Sequence, residues 1–221
     1  MAAFDHKEFL NRKHFALSFR ALISDVEDFV EFSENNIEWQ RRTAIQTIQR
    51  TSDLDGFPEG YLDHLVANAE HRFTTSLPMR LRYAALVSLV TTVEWEGRVL
   101  GDYANFSIRK KPDRTNETVH ILRSFETELS LGADAAIDDY EHLVHVRNAI
   151  AHNAGVAPGY KYESEFRTAV TLLRGFSVTN WHFVGDCVKI ERGALPPYIR
   201  VMADLLPAIW EAADTKGKVK Q

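Results

Sequence analysis

Residues 142–155 of the chain read His142-Leu143-Val144-His145-Val146-Arg147-Asn148-Ala149-Ile150-Ala151-His152-Asn153-Ala154-Gly155. Its apolar residues Leu143, Val146 and Ile150 recur at helical spacing and predict one buried stripe along an amphipathic helix. The Asn-Ala-Gly sequence at its end is a helix stop. We therefore interpret this stretch as the C-terminal half of a core helix that begins near Ala133.

The polar residues of this helix lie off its apolar stripe. Asn148 and His152 are four residues apart, so they share one face and could hydrogen-bond. Arg147 precedes Asn148 directly. The small residues Ala149 and Ala151 leave room for a second helix or a phosphate to approach closely.

Helical periodicity extends through the N-terminal half of the chain. The first 50 residues contain neither Gly nor Pro and predict a long helix, with a possible break near 33–36. A second helix is predicted from about Glu59 to Thr74. Ser76-Leu77-Pro78 predicts a new helix start, an N-cap followed by Pro in the first turn. The helix that begins there is the most apolar of the chain and extends to about Tyr103.

The C-terminal half predicts shorter elements and one change of pattern. Helices are expected from Asn116 to Leu131, from Glu163 to Arg174 and from Leu195 to Ala213. Alternating β-branched and aromatic residues at 176–183 and 187–191 flank Gly185-Asp186, which is typical of a β-hairpin. The predicted fold is mainly α, a helical bundle with long antiparallel helices and one small hairpin near the C-terminus. An N-terminal helical region at 1–75 would pack on a bundle at 76–221, unless 1–221 is one single domain.

Composition restricts the functional classes. The chain has 221 residues, of which 45% are hydrophobic and 26% charged, so it can bury a sizeable core. No apolar run is long enough to cross a membrane, and no secretory signal pattern opens the sequence, so a cytoplasmic location is expected. The single cysteine, Cys187, excludes an internal disulfide or a cysteine-based metal site.

The net negative charge means that any contact with nucleic acid must be made by a local basic patch. The net charge is -5, which gives no molecule-wide attraction to a polyanion. The densest basic patch is 109–114, and a solvated loop between helices explains it more simply than a nucleic-acid site does.

Several common site motifs are missing from the sequence. The two glycine-rich phosphate-binding patterns, Walker A and Gly-x-Gly-x-x-Gly, do not occur. The Gly-x-Ser-x-Gly elbow and the His-Glu-x-x-His motif are also absent. His142, His145 and His152 could form a metal-binding face, with Asp139 and Glu141 as the carboxylates nearby. Helical histidine clusters are more often surface residues than ligands, so we predict neither a metal nor a cofactor.

The spacing Arg147-x4-His152 is weak evidence by itself, because so short a pattern occurs by chance. Its context is more specific: it lies at a helix end, Asn148 follows the arginine, and small residues fill the turn. In these features the stretch resembles the HEPN domains (higher eukaryotes and prokaryotes nucleotide-binding), whose hallmark is an Arg-x(4–6)-His motif near the end of a bundle helix. The order of predicted elements over about 77–213 is also similar to that of larger bacterial members.

The resemblance implies a metal-independent RNA endonuclease that leaves 2′,3′-cyclic phosphate and 5′-OH ends. Many active members are toxins or anti-phage defence components. They act as homodimers with a composite site, and an antitoxin or defence-system partner protein is possible. By the same resemblance, Arg147 would hold the phosphate, His152 would transfer protons and Asn148 would orient either one. Glu94, on an earlier helix, would fix Arg147.

Two simpler interpretations stay open. From the residues alone, Arg147 could pair with an acid on a neighbouring helix while His152 caps the helix end, and Glu94 and Glu96 could both be surface residues. Alternatively, the domain could be a non-catalytic dimerisation module that binds a partner protein or a nucleotide. The acidic net charge favours that module, whereas the intact Arg147-Asn148-x-x-x-His152 pattern favours the enzyme.

Overall fold

The computed structural model describes residues 12–51, 58, 60–181 and 184–220. Its elements are α1 Arg12–Thr51, α2 Tyr61–His71, α3 Leu77–Tyr103, α4 Glu117–Leu129, α5 Asp134–Asn153, α6 Glu163–Leu172, β1 Phe176–Trp181, β2 Gly185–Ile190 and α7 Leu195–Thr215. The prediction of a mainly helical fold with one small hairpin near the C-terminus is confirmed. Within the described ranges, none of the helices combines the length and the hydropathy that crossing a lipid bilayer requires.

Contacts between Cα atoms group the chain into two compact units. One unit is Asp28–Ala85, and the other comprises the chain up to Glu27 and from Leu86 onward. The division into 1–75 and 76–221, like its single-domain alternative, stays a prediction.

Ion pairs connect the helices of the unit Asp28–Ala85. Arg41 of α1 pairs with Glu70 of α2 at 2.7 Å, and Arg82 of α3 pairs with Glu34 of α1 at 2.7 Å. The Arg82 and Glu34 side chains are only 13% and 9% exposed. Helix α1 is continuous through 33–36, so the break predicted there as an alternative does not occur.

The predicted helix start at Ser76 is wrong, because α2 runs into α3 through one π-helical turn, Arg72–Ser76. Proline has no N–H, so Pro78 removes one helical hydrogen bond. The wider turn absorbs that loss, and the Leu77 N–H donates to the Arg72 carbonyl, five residues back. A Ser-Leu-Pro sequence is compatible with a helix start and with a π-helical turn, since proline has no N–H to donate in either one.

Helix α5 lies at the centre of the other unit, where it contacts α4, α6 and α7. Its buried face includes Leu143 and Val146 of the predicted stripe, together with Ile137, Tyr140, Val144 and Ala149. Replacing one such core residue by alanine removes apolar contacts and typically costs about 2–5 kcal/mol. The position of the motif helix is therefore fixed by core packing.

The end of α5 has the predicted stop. Ala154 and Gly155 adopt left-handed backbone conformations, with φ of 53° and 79°. The hairpin binds this segment directly: the Val188 N–H donates to the Gly155 carbonyl at 2.9 Å, and the Ala157 N–H donates to the Asp186 carbonyl at 2.7 Å. The segment that ends the helix thus also anchors the hairpin.

The hairpin turn is earlier than predicted. Gly185 pairs with Trp181 and Asp186 pairs with Asn180, so the predicted turn at Gly185-Asp186 is wrong. Gly185 begins β2 with a φ of 91°, and the Asn180 amide donates to the Asp186 carboxylate at 3.0 Å. Phe183, the predicted end of the first strand, lies outside the described residues.

Candidate functional site

An ion pair between α5 and α3 forms the centre of the candidate site. Nη2 of Arg147 donates to Oε1 of Glu94, and the two side chains are only 17% and 18% exposed. Removing one partner would leave the other charge nearly buried and unpaired, which is costly. The interpretation of Glu94 as a surface residue is wrong, and the alternative that Arg147 pairs with an acid on a neighbouring helix describes this contact.

The first turn of α4 holds Glu94 from a second side. Asn116 caps α4, because its Oδ1 accepts from the N–H groups of Thr118 at 2.9 Å and Val119 at 3.2 Å. Its Nδ2 donates to Oε1 of Glu94 at 3.0 Å, and the Thr118 hydroxyl donates to the Glu94 carbonyl at 3.4 Å. The sequence predicts Asn116 at the start of a helix, but a capping residue type does not predict which group its Nδ2 contacts.

The hydrogen bond to Glu94 comes from Nη2 of the Arg147 guanidinium, and another of its donors has no partner in the described part of the chain. Its Nε is buried and donates to no acceptor among the described residues. Tyr140, one of its neighbours, donates its hydroxyl to the Val90 carbonyl at 3.4 Å. Burial, reinforced by the Glu94 charge, raises the pKa of Tyr140, so the phenol stays neutral. Arg147 therefore keeps a donor in surroundings where charge interactions are strong.

A cleft of about 360 Å³ is lined by Asn116, the residue that donates to Glu94 of the ion pair. We call it the Asn148 cleft, and its lining includes Asn116, Glu141, His145, Asn148, Tyr160 and Glu165. Asn116 connects the cleft to Glu94, and Asn148 follows Arg147 in the chain. Burial lowers the pKa of His145 in spite of the nearby Glu141 and Glu165 carboxylates, so this imidazole is neutral near pH 7.

His152 is separate from this cluster. It is exposed in the last turn of α5 and is not among the residues that line the Asn148 cleft. In the part of the chain that the structure describes, no hydrogen bond joins it to Asn148, which is half-buried. One chain thus brings Arg147, Glu94 and the cleft together, while the His152 imidazole faces solvent.

Tyr160 and Tyr162, which lie beyond the helix stop, were not predicted as site residues. Their ring centroids are 5.9 Å apart, and both side chains line the Asn148 cleft. The signal that could have found them is an aromatic pair in the loop between the end of α5 at Asn153 and the start of α6 at Glu163.

Glu96 is also buried, so its interpretation as a surface residue is wrong. It is fully buried on α3, neither carboxyl oxygen has a hydrogen-bond partner among the described residues, and burial raises its pKa to about 9.

Across the residues that the structure describes, no group of three or more His, Cys, Asp or Glu side chains could hold a metal ion. Comparison of the chain with protein families, with curated proteins and with solved structures found no match.

Proposed function

We propose that this protein is a metal-independent RNA endonuclease of HEPN type, acting in the cytoplasm as a toxin or anti-phage defence component. The observation that carries the proposal is the setting of Arg147. Glu94 fixes its guanidinium from α3, and Arg147 directly precedes Asn148, which lines the cleft. A fixed arginine suits a phosphate, because it cannot lose its charge and its N–H groups match phosphate oxygens.

The reaction would be an internal transesterification of RNA. The 2′-oxygen attacks the adjacent phosphorus, the bond from phosphorus to the 5′-oxygen breaks, and a 2′,3′-cyclic phosphate and a 5′-OH result. His152 would take the proton of the 2′-OH, and an imidazolium would return a proton to the leaving 5′-oxygen. Arg147 would stabilise the negative charge that grows on the phosphate. DNA, which has no 2′-OH, would not react.

Two copies of the chain would be needed to complete this site. The exposure of His152, outside the cleft of its own chain, leaves its imidazole accessible to a second copy. In a homodimer whose α5 ends meet, one His152 would act as the base and its partner as the acid, next to Arg147.

The second candidate is a non-catalytic dimerisation module that binds a partner protein or a nucleotide. A specific observation favours it: Glu94 pairs with Arg147 and offsets the positive charge that Arg147 could offer a phosphate. Glu141 and Glu165 add negative charge at the Asn148 cleft. Each of these carboxylates works against the cationic contacts that drive general RNA binding.

The test incubates purified protein with RNA in EDTA and compares it with His152→Ala and Arg147→Ala. His71→Ala, an exposed histidine on α2, is the matched control. We expect cyclic-phosphate ends from the wild type and from His71→Ala, and loss of cleavage in the other two variants. Because His152 is exposed, its variant should keep the wild-type melting temperature, which separates loss of chemistry from loss of folding.

Equal cleavage by all four proteins would overturn the assignment, and cleavage that EDTA abolishes would replace it with metal chemistry. No cleavage by the wild type would favour the non-catalytic module. Expression in bacteria gives an independent measurement, because toxicity that His152→Ala relieves supports the enzyme.

A further inference from the structure

We propose that the Asn148 cleft is a binding pocket for a guanine base. The proposal rests on the function proposed above, because it names the base that would lie beside the reacting phosphate. It is carried by three features of the cleft: an aromatic wall, a carboxylate in its lining, and an exposed arginine that also lines it.

The aromatic wall has the properties of a stacking surface. The Tyr160 and Tyr162 ring planes meet at 75°, and the Phe166 ring supports Tyr160 at a centroid distance of 6.3 Å. Tyr162 is 38% exposed, and Nζ of Lys161 lies 5.0 Å from the centre of its ring. Bases stack on aromatic side chains in single-stranded RNA recognition. At about 360 Å³ the cleft is within the size range of small-ligand pockets, about 300–1,000 Å³.

The carboxylates select the edge of the base. Glu141 already accepts from Nη2 of Arg123 at 2.8 Å. Glu165 is exposed at the start of α6 and forms no ion pair within the described residues, so both of its oxygens are available. A carboxylate can accept two parallel N–H bonds. Among the four RNA bases only guanine presents two adjacent donors on one edge, N1–H and the 2-amino group.

The other polar groups complete the match to guanine. The Asn148 amide can donate to O6, next to N1, and neutral His145 offers one donor and one acceptor. Adenine and cytosine place an acceptor beside their amino group, and uracil has a single donor between two acceptors. Each of these bases would oppose an acceptor to a carboxylate oxygen and leave a polar group unsatisfied, which is what makes such a site selective.

Charge also sets the orientation of the nucleotide. Glu141 and Glu165 would repel a phosphate inside the cleft. Arg114 also lines the cleft, is exposed, and forms no ion pair with a described residue. Arg114 is the last residue of the basic run 109–114. Its φ of 66° is unusual for a residue other than glycine. This arrangement places the base inside and the phosphates outside, along the exposed basic loop.

Binding is tested by titrating full-length His152→Ala, which leaves RNA intact, with guanosine, inosine, adenosine, GMP and short RNAs with or without guanine. Inosine lacks only the 2-amino group of guanosine. We expect guanosine to bind about tenfold more tightly than inosine or adenosine. Glu165→Gln should abolish this preference. Glu211→Gln, an exposed glutamate on α7 that does not line the cleft, should retain it.

The outcomes separate this pocket from the catalytic proposal. A guanosine preference that depends on Glu165, without cleavage by the wild type, supports the pocket and removes the nuclease. Cleavage with no base preference, and unchanged in Glu165→Gln, overturns the pocket and keeps the nuclease. If guanosine-containing ligands do not bind, the pocket is overturned. Tighter binding of guanine-containing RNA than of GMP supports an RNA source, and the reverse order supports a free nucleotide.

Discussion

Glu94 and Arg147 are 53 residues apart in the sequence, and their ion pair joins two helices of the core. Asn116, which caps a third helix, donates to the same Glu94 oxygen that accepts from Arg147. Glu94 is therefore the common acceptor through which α3, α4 and α5 hold the guanidinium in place. Structural and functional consequences of changing it can be measured separately.

Replacing Glu94 by glutamine should lower the free energy of unfolding by about 2–3 kcal/mol. Breaking a fully buried ion pair on one side costs about 3–5 kcal/mol, and the residual exposure of 18% and 17% moderates the loss. Urea unfolding of Glu94→Gln measures it. In the double variant Glu94→Gln/Arg147→Met no unpaired cation remains, so it should be more stable than Glu94→Gln alone. A single variant as stable as the wild type would mean that the pair contributes nothing.

Local signals were enough to predict the motif helix and its end. Leu143 and Val146 lie on the buried face because helical periodicity follows burial. The left-handed conformations of Ala154 and Gly155 follow from the ordinary chemistry of helix termini. The hairpin strands were found for the same reason, since alternation and β-branching are local properties.

Features that depend on distant residues could not be read in this way. The choice between a buried and an exposed Glu94 depends on Arg147 and Asn116, which only the folded chain brings near. The π-helical turn before Pro78 has the same sequence signature as a helix start. The exposure of His152 depends on the rotation of α5 about its axis, which its neighbours α4, α6 and α7 determine.

Replacing Gly97 by alanine should destabilise the protein by about 1–2 kcal/mol. Alanine favours a helix over glycine by about 1 kcal/mol, but a Cβ at this position would overlap Cγ2 of Thr118. Overpacking a core costs about 1–3 kcal/mol, and Thr118 is stiff and buried, so the clash outweighs the helical gain.

Two further variants identify the cause by thermal unfolding. Gly97→Ala/Thr118→Ser lacks the clashing methyl group and should recover stability. Gly101→Ala, on the same helix, would meet the flexible end of Ile121 at 2.9 Å and should lose less. A Gly97→Ala protein more stable than the wild type would contradict the close packing of α3 on α4.

Glu96 should make stability fall as the pH rises. Burial raises its folded-state pKa from the ordinary 4.5 to about 9, so between these values the folded state binds more protons than the unfolded state. This stabilisation is complete below about pH 4.5 and is lost toward pH 9, at up to about 1.4 kcal/mol per pH unit. Urea unfolding from pH 5 to 9 should show the slope in the wild type and a smaller slope in Glu96→Gln. Glu211→Gln is the exposed control, and equal slopes in all three proteins would contradict the prediction.

Replacing Asn116 by aspartate should destabilise the protein, although aspartate is an equally good N-cap. The Asn116→Asp side chain could still accept from the N–H groups of Thr118 and Val119, so α4 would remain capped. The amide that donates to Glu94 at 3.0 Å would be replaced by a second carboxylate. Like charges at this distance repel, and the Glu94 oxygen would lose a donor, so we expect a loss of about 1–2 kcal/mol at pH 7.

A comparison with Asn116→Ser separates the two functions of Asn116. Serine also caps a helix but adds no charge, so Asn116→Ser should lose less stability than Asn116→Asp in urea unfolding at the same pH. If capping were the only function of Asn116, aspartate and serine would both match the wild type. If the aspartate variant alone is destabilised, and RNA cleavage falls with it, then the added charge next to Glu94, and not a loss of the cap, disturbs Arg147.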